Sequence, residues 1–386
     1  MNNLTPKHIL ILSANAGFGH GSAAKAVARA IHENYADACK VDIVNPLDNV
    51  HTPALLRDSQ SDYDALVRRS PELYHWAYDA TDSNAPATII ESSVTLMLYD
   101  TLKRVLDEYT PDLIILTFPI FLVPLKTIGV LRGKPIPVMM VVTDLTSLHR
   151  LWFHPSVDWC CVPTEEARVL AEKQGVEAER IQITGIPVSS AFTTMTHPRE
   201  ALRAQLGWNP TLTTVLVMAS RRLLNPLESL HLLNHSALPI QLVVVAGGDD
   251  ELYHKLTMVE WHLPVHIYNF VDQVPQFMLA SDCILTKAGG LTVAESLAAG
   301  LPILIQGVIP GQESGNAAYV VDHEAGVLTK TPEQVLEILF HWLQNGHQGL
   351  HDHARHARFI GRPNAAYDIS QTAMRMLDSE EKKVLS

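Results

Sequence analysis

The chain has 386 residues, 47% of them apolar, and its formal net charge at pH 7 is −12. A single hydrophobic core stops growing at about 250 to 300 residues, so this length predicts two domains. The negative charge excludes general binding to nucleic acid, whose phosphates attract basic proteins. Any contact with a membrane surface must therefore be local or driven by apolar side chains.

The cysteines and the apolar runs indicate the compartment. All four cysteines lie in apolar surroundings, and the adjacent Cys160 and Cys161 are poorly placed to pair, which is typical of free thiols in a reducing cytoplasm. The most apolar run, residues 113–125, is shorter than the roughly 20 residues of a membrane span. The amino terminus shows no cleavable signal pattern, so we expect a soluble, cytoplasmic protein.

The first predicted strand, residues 8–13, leads through a glycine-containing loop into a helix at residues 23–31. The spacing of the loop glycines does not match a dinucleotide-binding fingerprint. His20 lies near the helix start, where the helix dipole disfavours the imidazolium and favours a neutral ring that can accept a proton. The residues alone leave two roles open for His20, a general base or a helix cap.

A doubly wound sheet is predicted for the first half of the chain. Strands at residues 41–44, 112–118 and 136–142 alternate with helical patterns, which is typical of parallel α/β sheets. The segment from Asn45 to Tyr109 is long for one crossover, and it is either a functional insertion or extra helices that pack on the sheet.

Polar side chains follow the strand at residues 136–142, at the sheet edge where α/β proteins bind ligands. Asp144, His149 and His154 lie in this run, but their spacing matches no zinc-binding pattern. We therefore predict structural or substrate-positioning roles for them and no metal site.

The strand pattern restarts at Thr213 to Met218, after a polar linker at residues 193–199. Further strands are predicted at residues 241–246, 265–267 and 282–285, again with helical patterns between them. The second half of the chain is thus predicted to form a second α/β domain.

The most informative stretch runs from Thr286 to Asn316. A strand there leads through Gly289 and Gly290 into a short helix that Gly300 ends. Such a turn exposes backbone N–H groups and the positive end of a helix dipole, which suits an anion such as a diphosphate. Two adjacent glycines alone more often mark an ordinary turn. The next strand is followed by Gln312 and Glu313, whose polar groups can hydrogen-bond sugar hydroxyls.

This stretch resembles the donor-binding half of glycosyltransferases that transfer sugars from nucleotide-sugars to lipids. These are the monogalactosyldiacylglycerol synthases, the processive diacylglycerol glucosyltransferases and, more distantly, the N-acetylglucosaminyltransferase that makes lipid II. The resemblance implies the GT-B fold, an α/β class in which two doubly wound Rossmann-like domains face each other across a cleft. The expected acceptor domain is residues 1–190, the expected donor domain is residues 191–363, and a C-terminal helix within residues 364–386 is expected to cross back onto the first domain.

The resemblance also implies a role for each matching residue. The Gly-Gly-Leu-Thr turn would contact the diphosphate, Glu295 the ribose, and Gln312 with Glu313 the sugar. His20 would be the catalytic base that faces the acceptor hydroxyl, which favours the first of its two roles. The expected donor-binding residues are Ser220, Arg221, Phe270, Val271, Gly289, Gly290, Leu291, Thr292, Glu295, Gln312 and Glu313. The expected acceptor-side residues are Gly19, Asp144, His149 and Trp152.

One loop departs from the family pattern. The resembling families usually have a glycine-rich loop after the first strand of the second domain, whereas residues 219–225 contain no glycine. In the interpretation that we favour, Arg221 or Arg222 binds phosphate in place of backbone N–H groups. In the alternative, donor use is altered or lost.

The resemblance predicts an inverting hexosyltransferase that moves a hexose from a UDP-sugar to a diacylglycerol-type lipid. No metal or other cofactor is expected, because an amide cradle and a helix dipole can stabilise the departing UDP. The expected partners are the UDP-sugar, the lipid and, through peripheral contact, the inner face of the cell membrane. The alternatives are a UDP-sugar-dependent transferase with a soluble acceptor, a nucleotide-sugar epimerase and a non-catalytic nucleotide-sugar sensor.

Overall fold

The chain divides into two compact units. The computed structural model describes residues 6–15, 18–36, 38–57, 84–219, 226–309, 311 and 313–385. The first unit comprises residues 1–190, 310–312 and 364–386, and the second comprises residues 191–309 and 313–363. Within the described ranges, no helix combines the length and the apolar character that crossing a membrane requires.

The first unit contains a six-stranded parallel sheet with the strand order β2-β1-β3-β4-β5-β6. Its inner strands are short apolar runs because helices cover both faces of the sheet. The strands are β1 (Lys7–Leu12), β2 (Cys39–Val44), β3 (Leu113–Leu116), β4 (Val138–Val141), β5 (Trp159–Val162) and β6 (Ile181–Ile183). The helices between them are α1 (Phe18–Tyr35), α2 (Asn84–Tyr109), α3 (Leu122–Arg132) and α4 (Glu165–Lys173), with 3₁₀ turns at Pro46–Asp48, Pro119–Phe121, Arg150–Trp152 and Ala178–Arg180.

The second unit contains another six-stranded parallel sheet, with the order β12-β11-β10-β7-β8-β9. Its strands are β7 (Thr213–Met218), β8 (Ile240–Val245), β9 (Val265–Tyr268), β10 (Cys283–Thr286), β11 (Ile303–Ile305) and β12 (Gly326–Leu328). Its helices are α5 (Ala191–Thr194), α6 (Arg199–Gln205), α7 (Pro226–Asn234), α8 (Asp250–Thr257), α9 (Val274–Leu279), α10 (Gly290–Ala299), α11 (Ser314–Asp322) and α12 (Pro332–Ile360). Helix α12 is interrupted at Gln344–His347, where three residues have left-handed backbone angles.

The last helix, α13 (Ala365–Leu385), belongs to the first unit. Its apolar side chains, among them Ile369 and Ala373, join a buried cluster with Ile9, Ile11 and Val27 of β1 and α1. The opposite face of the same sheet packs against α2 and α3 in a second buried cluster. The two faces alternate residue by residue along each strand, as the pleat requires.

The predicted parallel α/β pattern is confirmed, and the corrections are local. The helix predicted at residues 23–31 begins at Phe18, so His20 lies inside its first turn. The predicted linker at residues 193–199 is partly helical, because α5 extends to Thr194 and α6 begins at Arg199 directly after Pro198. Residues 58–83 of the long segment after β2 lie outside the described residues.

Candidate active site

Two neighbouring strands of the first unit end in threonines that face the same side of the sheet. Thr117 follows β3, Thr143 follows β4, and both are buried. The ladder continues past both strand ends, since the N–H of Thr117 donates to Leu12 and that of Val142 to Cys161. Each threonine lies two residues beyond a core side chain of the face that α1 covers, so both project towards α1.

His20 lies in the first turn of α1 and meets these strand ends. Its Nδ1 is 2.8 Å from Thr143 Oγ1. The ring packs edge-on against Phe118, with centroids 5.0 Å apart, and its centroid is 5.9 Å from that of Trp152. Burial lowers the pKa of His20 from 6.5 to about 4, and a hydrogen bond with the backbone of Thr117 offsets this effect only in part. His20 is therefore a neutral imidazole near pH 7, the form that can accept a proton.

The structure places the predicted acceptor-side residues in three different settings. Gly19 precedes His20 in α1 and is half-buried, while Trp152 is buried beside the His20 ring. Asp144 is buried and directly follows Thr143 in the chain. His149 has a structural contact, because its Nδ1 accepts a hydrogen bond of 3.3 Å from the Leu151 N–H. That bond caps the 3₁₀ turn that carries Trp152, so His149 acts on the site through the turn.

Among the described residues, no group of three or more histidine, cysteine, aspartate or glutamate side chains is arranged to hold a metal ion. The neutral His20 ring is able to take part in acid–base chemistry at this edge of the sheet. Sequence reasoning missed Thr117, Phe118 and Thr143, which surround that histidine. Their position at the carboxyl ends of two predicted strands was the signal that pointed to them.

In the second unit, the Gly289–Gly290 turn joins β10 to α10. Gly289 is the N-cap residue of α10, and Gly300 ends the helix in a left-handed conformation with φ of 67°, as the sequence predicted. The first N–H groups of a helix lack partners within the helix and lie at its positive end, so they attract an anion. A helix start of this kind is able to bind an anion such as a phosphate group.

Hydrogen bonds fix the turn to its surroundings. The Ala288 N–H donates to the Gly307 carbonyl over 2.9 Å, and the Asn316 side chain donates to the Ala288 carbonyl over 3.0 Å. The Gln306 N–H donates to Thr286 over 2.8 Å, which continues the pairing of β10 and β11. Because both peptide groups of Ala288 are held, the turn keeps its geometry without a ligand.

Lys287 places a positive charge at this turn. A Cβ atom at Gly289 would lie 2.8 Å from Lys287 Nζ, so the ammonium group lies close to the backbone of the turn. Lys287 forms an ion pair with Glu313, whose other oxygen accepts a hydrogen bond of 3.0 Å from the Ile309 N–H. Glu313 is buried and Lys287 is half-buried. Lys287 is not among the residues that the sequence assigned to the donor site, although a cation directly before a Gly-Gly turn was a usable signal.

The remaining donor-side residues differ in how far the structure describes them. Phe270 follows β9 and is 59% exposed, so it is not part of the core. Val271, Leu291, Thr292 and Glu295 are half-buried. The predicted residues Ser220, Arg221 and Gln312, together with the glycine-free loop from residue 220 onwards, lie outside the described residues.

Burial raises the pKa of Glu295 from 4.5 to about 8. The folded protein therefore keeps this carboxyl protonated at pH values where the unfolded chain has released the proton. Its contribution to stability is fully present below about pH 4.5 and is lost as the pH rises through 8, because the unfolded state then binds fewer protons than the folded state.

We expect Glu295→Gln to unfold at a higher temperature than the unmodified protein at about pH 9, and the difference to shrink towards about pH 5. Thermal unfolding monitored by circular dichroism across this range measures the effect. Glu260→Gln is the control, since Glu260 is an exposed glutamate of the same unit and should show no such trend. Parallel pH profiles for Glu295→Gln and the unmodified protein would contradict the raised pKa.

Two family descriptions match successive parts of the chain. Residues 20–188 match the family described as Monogalactosyldiacylglycerol (MGDG) synthase. Residues 225–371 match the Glycosyltransferase family 28 C-terminal domain. The match to the first family begins at His20, and the match to the second includes the whole Gly289 turn with Glu295 and Glu313.

Characterised relatives extend the match to nearly the whole chain. Monogalactosyldiacylglycerol synthase of Spinacia oleracea is 32% identical over 381 residues, which is 95% of this chain and 72% of that protein. Monogalactosyldiacylglycerol synthase 1 of Arabidopsis thaliana is 31% identical over 377 residues, which is 94% of this chain and 70% of that protein.

Solved structures share the fold at lower identity. MurG of Acinetobacter baumannii superimposes with a TM-score of 0.61 at 17% identity, covering 96% of this chain and 100% of that one. MnaA of S. aureus, solved with UDP, has a TM-score of 0.61 at 15% identity and covers 94% of each chain. These likenesses confirm the predicted α/β class and the GT-B fold.

Proposed function

The chain belongs to the monogalactosyldiacylglycerol synthase family, and from this premise we propose that it transfers a hexose from a UDP-sugar to the hydroxyl of a diacylglycerol-type lipid. The observation that carries the proposal is the neutral, buried His20 at the carboxyl edge of the first sheet. A transferase needs a base there for the acceptor hydroxyl, and a neutral imidazole is such a base near pH 7. The phosphate cradle of the second unit supplies the matching site for the donor.

The proposed reaction is a single displacement with inversion at the anomeric carbon. The acceptor oxygen attacks that carbon while the bond from the carbon to the β-phosphate oxygen breaks. The hydroxyl proton passes to Nε2 of His20, and UDP leaves with the bonding electrons. Negative charge thus develops on the diphosphate, where the amides of residues 290–292 and the Lys287 ammonium stabilise it.

We assign the other donor contacts from the family resemblance. Glu295 would hold the ribose, and the exposed ring of Phe270 with Val271 would contact the uracil. Gln312 and Glu313 would contact the sugar. Ser220 and Arg221 would reach the phosphates from the glycine-free loop, since a guanidinium binds phosphate through two parallel hydrogen bonds.

We also propose that the reaction needs no divalent cation. The usual task of a metal in such a reaction is to neutralise the departing diphosphate. Here a helix amino terminus, its free amides and Lys287 supply positive potential at the same place. Addition of EDTA to the transfer assay should leave the rate unchanged within error.

The acceptor lipid resides in a bilayer, so we propose peripheral contact between the first unit and a membrane surface. Among the described residues, several large apolar side chains of this unit are exposed, including Val50, Leu55 and Leu96. Apolar side chains of this kind can enter the headgroup region without a basic patch.

We propose galactose as the sugar, because the characterised relatives are synthases of monogalactosyldiacylglycerol.

UDP release from a panel of UDP-galactose, UDP-glucose and UDP-N-acetylglucosamine, with and without diacylglycerol in mixed micelles, tests the proposal. We expect lipid-dependent release that is fastest with UDP-galactose, together with a hexosyl-diacylglycerol product. Release without lipid and with an epimerised sugar would identify an epimerase instead. Equal rates with a soluble alcohol would identify a soluble acceptor, and UDP binding without release from any donor would identify a sensor.

A further inference from the structure

The side-chain partner of the His20 ring at Nδ1 is a hydroxyl group. Bases of this kind are commonly oriented by a carboxylate, which also stabilises the imidazolium that forms during the reaction. Here Nδ1 of His20 lies 2.8 Å from Thr143 Oγ1. Both side chains are buried, with His20 8% and Thr143 4% exposed, so water does not compete for the contact. The pair links residues 123 positions apart in the chain.

We propose that Thr143 is a positioning residue that holds the proton on Nδ1 of His20 and leaves the lone pair of Nε2 for the acceptor hydroxyl. A neutral imidazole has one protonated nitrogen, and the hydrogen bond made by one nitrogen sets the role of the other. The oxygen of Thr143 accepts the Nδ1 proton in this arrangement. The kinetic consequence rests on the proposed function, whereas the tautomer is a property of the free protein.

A neutral partner suits a base in this environment. Burial against Phe118 and Trp152 keeps the ring uncharged, and a carboxylate at the place of Thr143 would be a second buried group that had to lose its hydration. Once Nε2 has taken the acceptor proton, the Nδ1–H bond to Thr143 becomes charge-assisted and strengthens. The hydroxyl thus contributes more in the transition state than in the resting protein, which is what accelerates a reaction.

The matched pair Thr143→Val and Thr143→Ser tests the proposal. Valine has the shape of threonine but cannot accept a hydrogen bond, so a buried Nδ1–H group loses its partner. We expect kcat to fall about 10- to 100-fold in Thr143→Val and to stay within about threefold in Thr143→Ser, while KM for the UDP-sugar is unchanged in both.

Ser13→Ala is the control for losing a buried hydroxyl at this sheet edge. Ser13 follows β1, and its hydroxyl is buried without a hydrogen-bond partner among the residues that the structure describes. Its removal should leave kcat within about threefold of the unmodified protein. Equal losses in Ser13→Ala and Thr143→Val would overturn the assignment, as would a Thr143→Val variant with unchanged kcat.

A measurement without turnover separates this inference from the proposed function. Nitrogen NMR of protein labelled with ¹⁵N-histidine distinguishes a protonated ring nitrogen from one with a lone pair, and the spectrum of His20→Gln assigns the His20 signals. We expect a protonated Nδ1 in the unmodified protein and in Thr143→Ser, and a changed tautomer population in Thr143→Val. A lone pair on Nδ1 of the unmodified protein would overturn the proposal even if the enzyme transfers hexose as proposed.

Discussion

Replacing His20 by alanine is expected to lower kcat for hexose transfer about 10²- to 10⁴-fold while UDP-sugar binding is retained. The variant lacks the proposed base for the acceptor proton, but the proposed donor site lies in the other unit and keeps its residues. Initial rates with diacylglycerol micelles measure the first quantity, and calorimetric titration with UDP measures the second.

Two further variants show whether the loss is chemical. His20→Gln fills most of the buried space, so it should lose as much activity as the alanine variant and keep a thermal unfolding midpoint closer to that of the unmodified protein. His32→Ala removes an exposed histidine from the last turn of the same helix and should leave kcat unchanged. Full turnover in His20→Gln would remove His20 from the mechanism.

Replacing Lys287 by methionine is expected to impair both stability and turnover. Glu313 would remain as a buried carboxylate without its cation, which costs about 3 to 5 kcal/mol of the free energy of unfolding. The departing diphosphate would lose one positive group, which lowers kcat by about 10² if Lys287 acts like a single donor of an oxyanion hole. Denaturant titration and steady-state kinetics measure the two effects.

A double-mutant cycle separates these effects. Glu313→Gln combined with Lys287→Met leaves no unpaired buried charge, so the free energy of unfolding should largely recover. The kcat of the double variant should stay well below that of Glu313→Gln alone, because the ammonium group is still absent. If the double variant and Glu313→Gln have the same kcat, Lys287 is only the structural partner of Glu313.

The sequence correctly predicted features that depend on neighbouring residues. The helix after Gly289 and its end at Gly300 follow from local spacing and from the ease with which glycine adopts a left-handed conformation. The parallel sheets follow from short apolar strands that alternate with helical patterns. The sequence did not predict the order of the strands within each sheet, because that order depends on where each connection places the next strand in the sheet.

The neutral ring of His20 has a different main cause from the one that the sequence suggested. The sequence suggested a neutral ring because a helix amino terminus repels an added positive charge. In the structure the dominant cause is burial, since Phe118 and Trp152 remove the ring from water. The sequence predicted a helix near His20. Phe118 and Trp152, which pack against the ring, lie in other segments of the chain.

The sequence by itself determined the fold class, the family and the residue types at the two predicted sites. Only the tertiary structure decided which groups meet, because the contact of His20 with Thr143 spans 123 residues and the pairing of Lys287 with Glu313 spans 26. Local patterns report the conformation of neighbouring residues, while such contacts exist only once parallel strands have placed their carboxyl ends at one edge of a sheet.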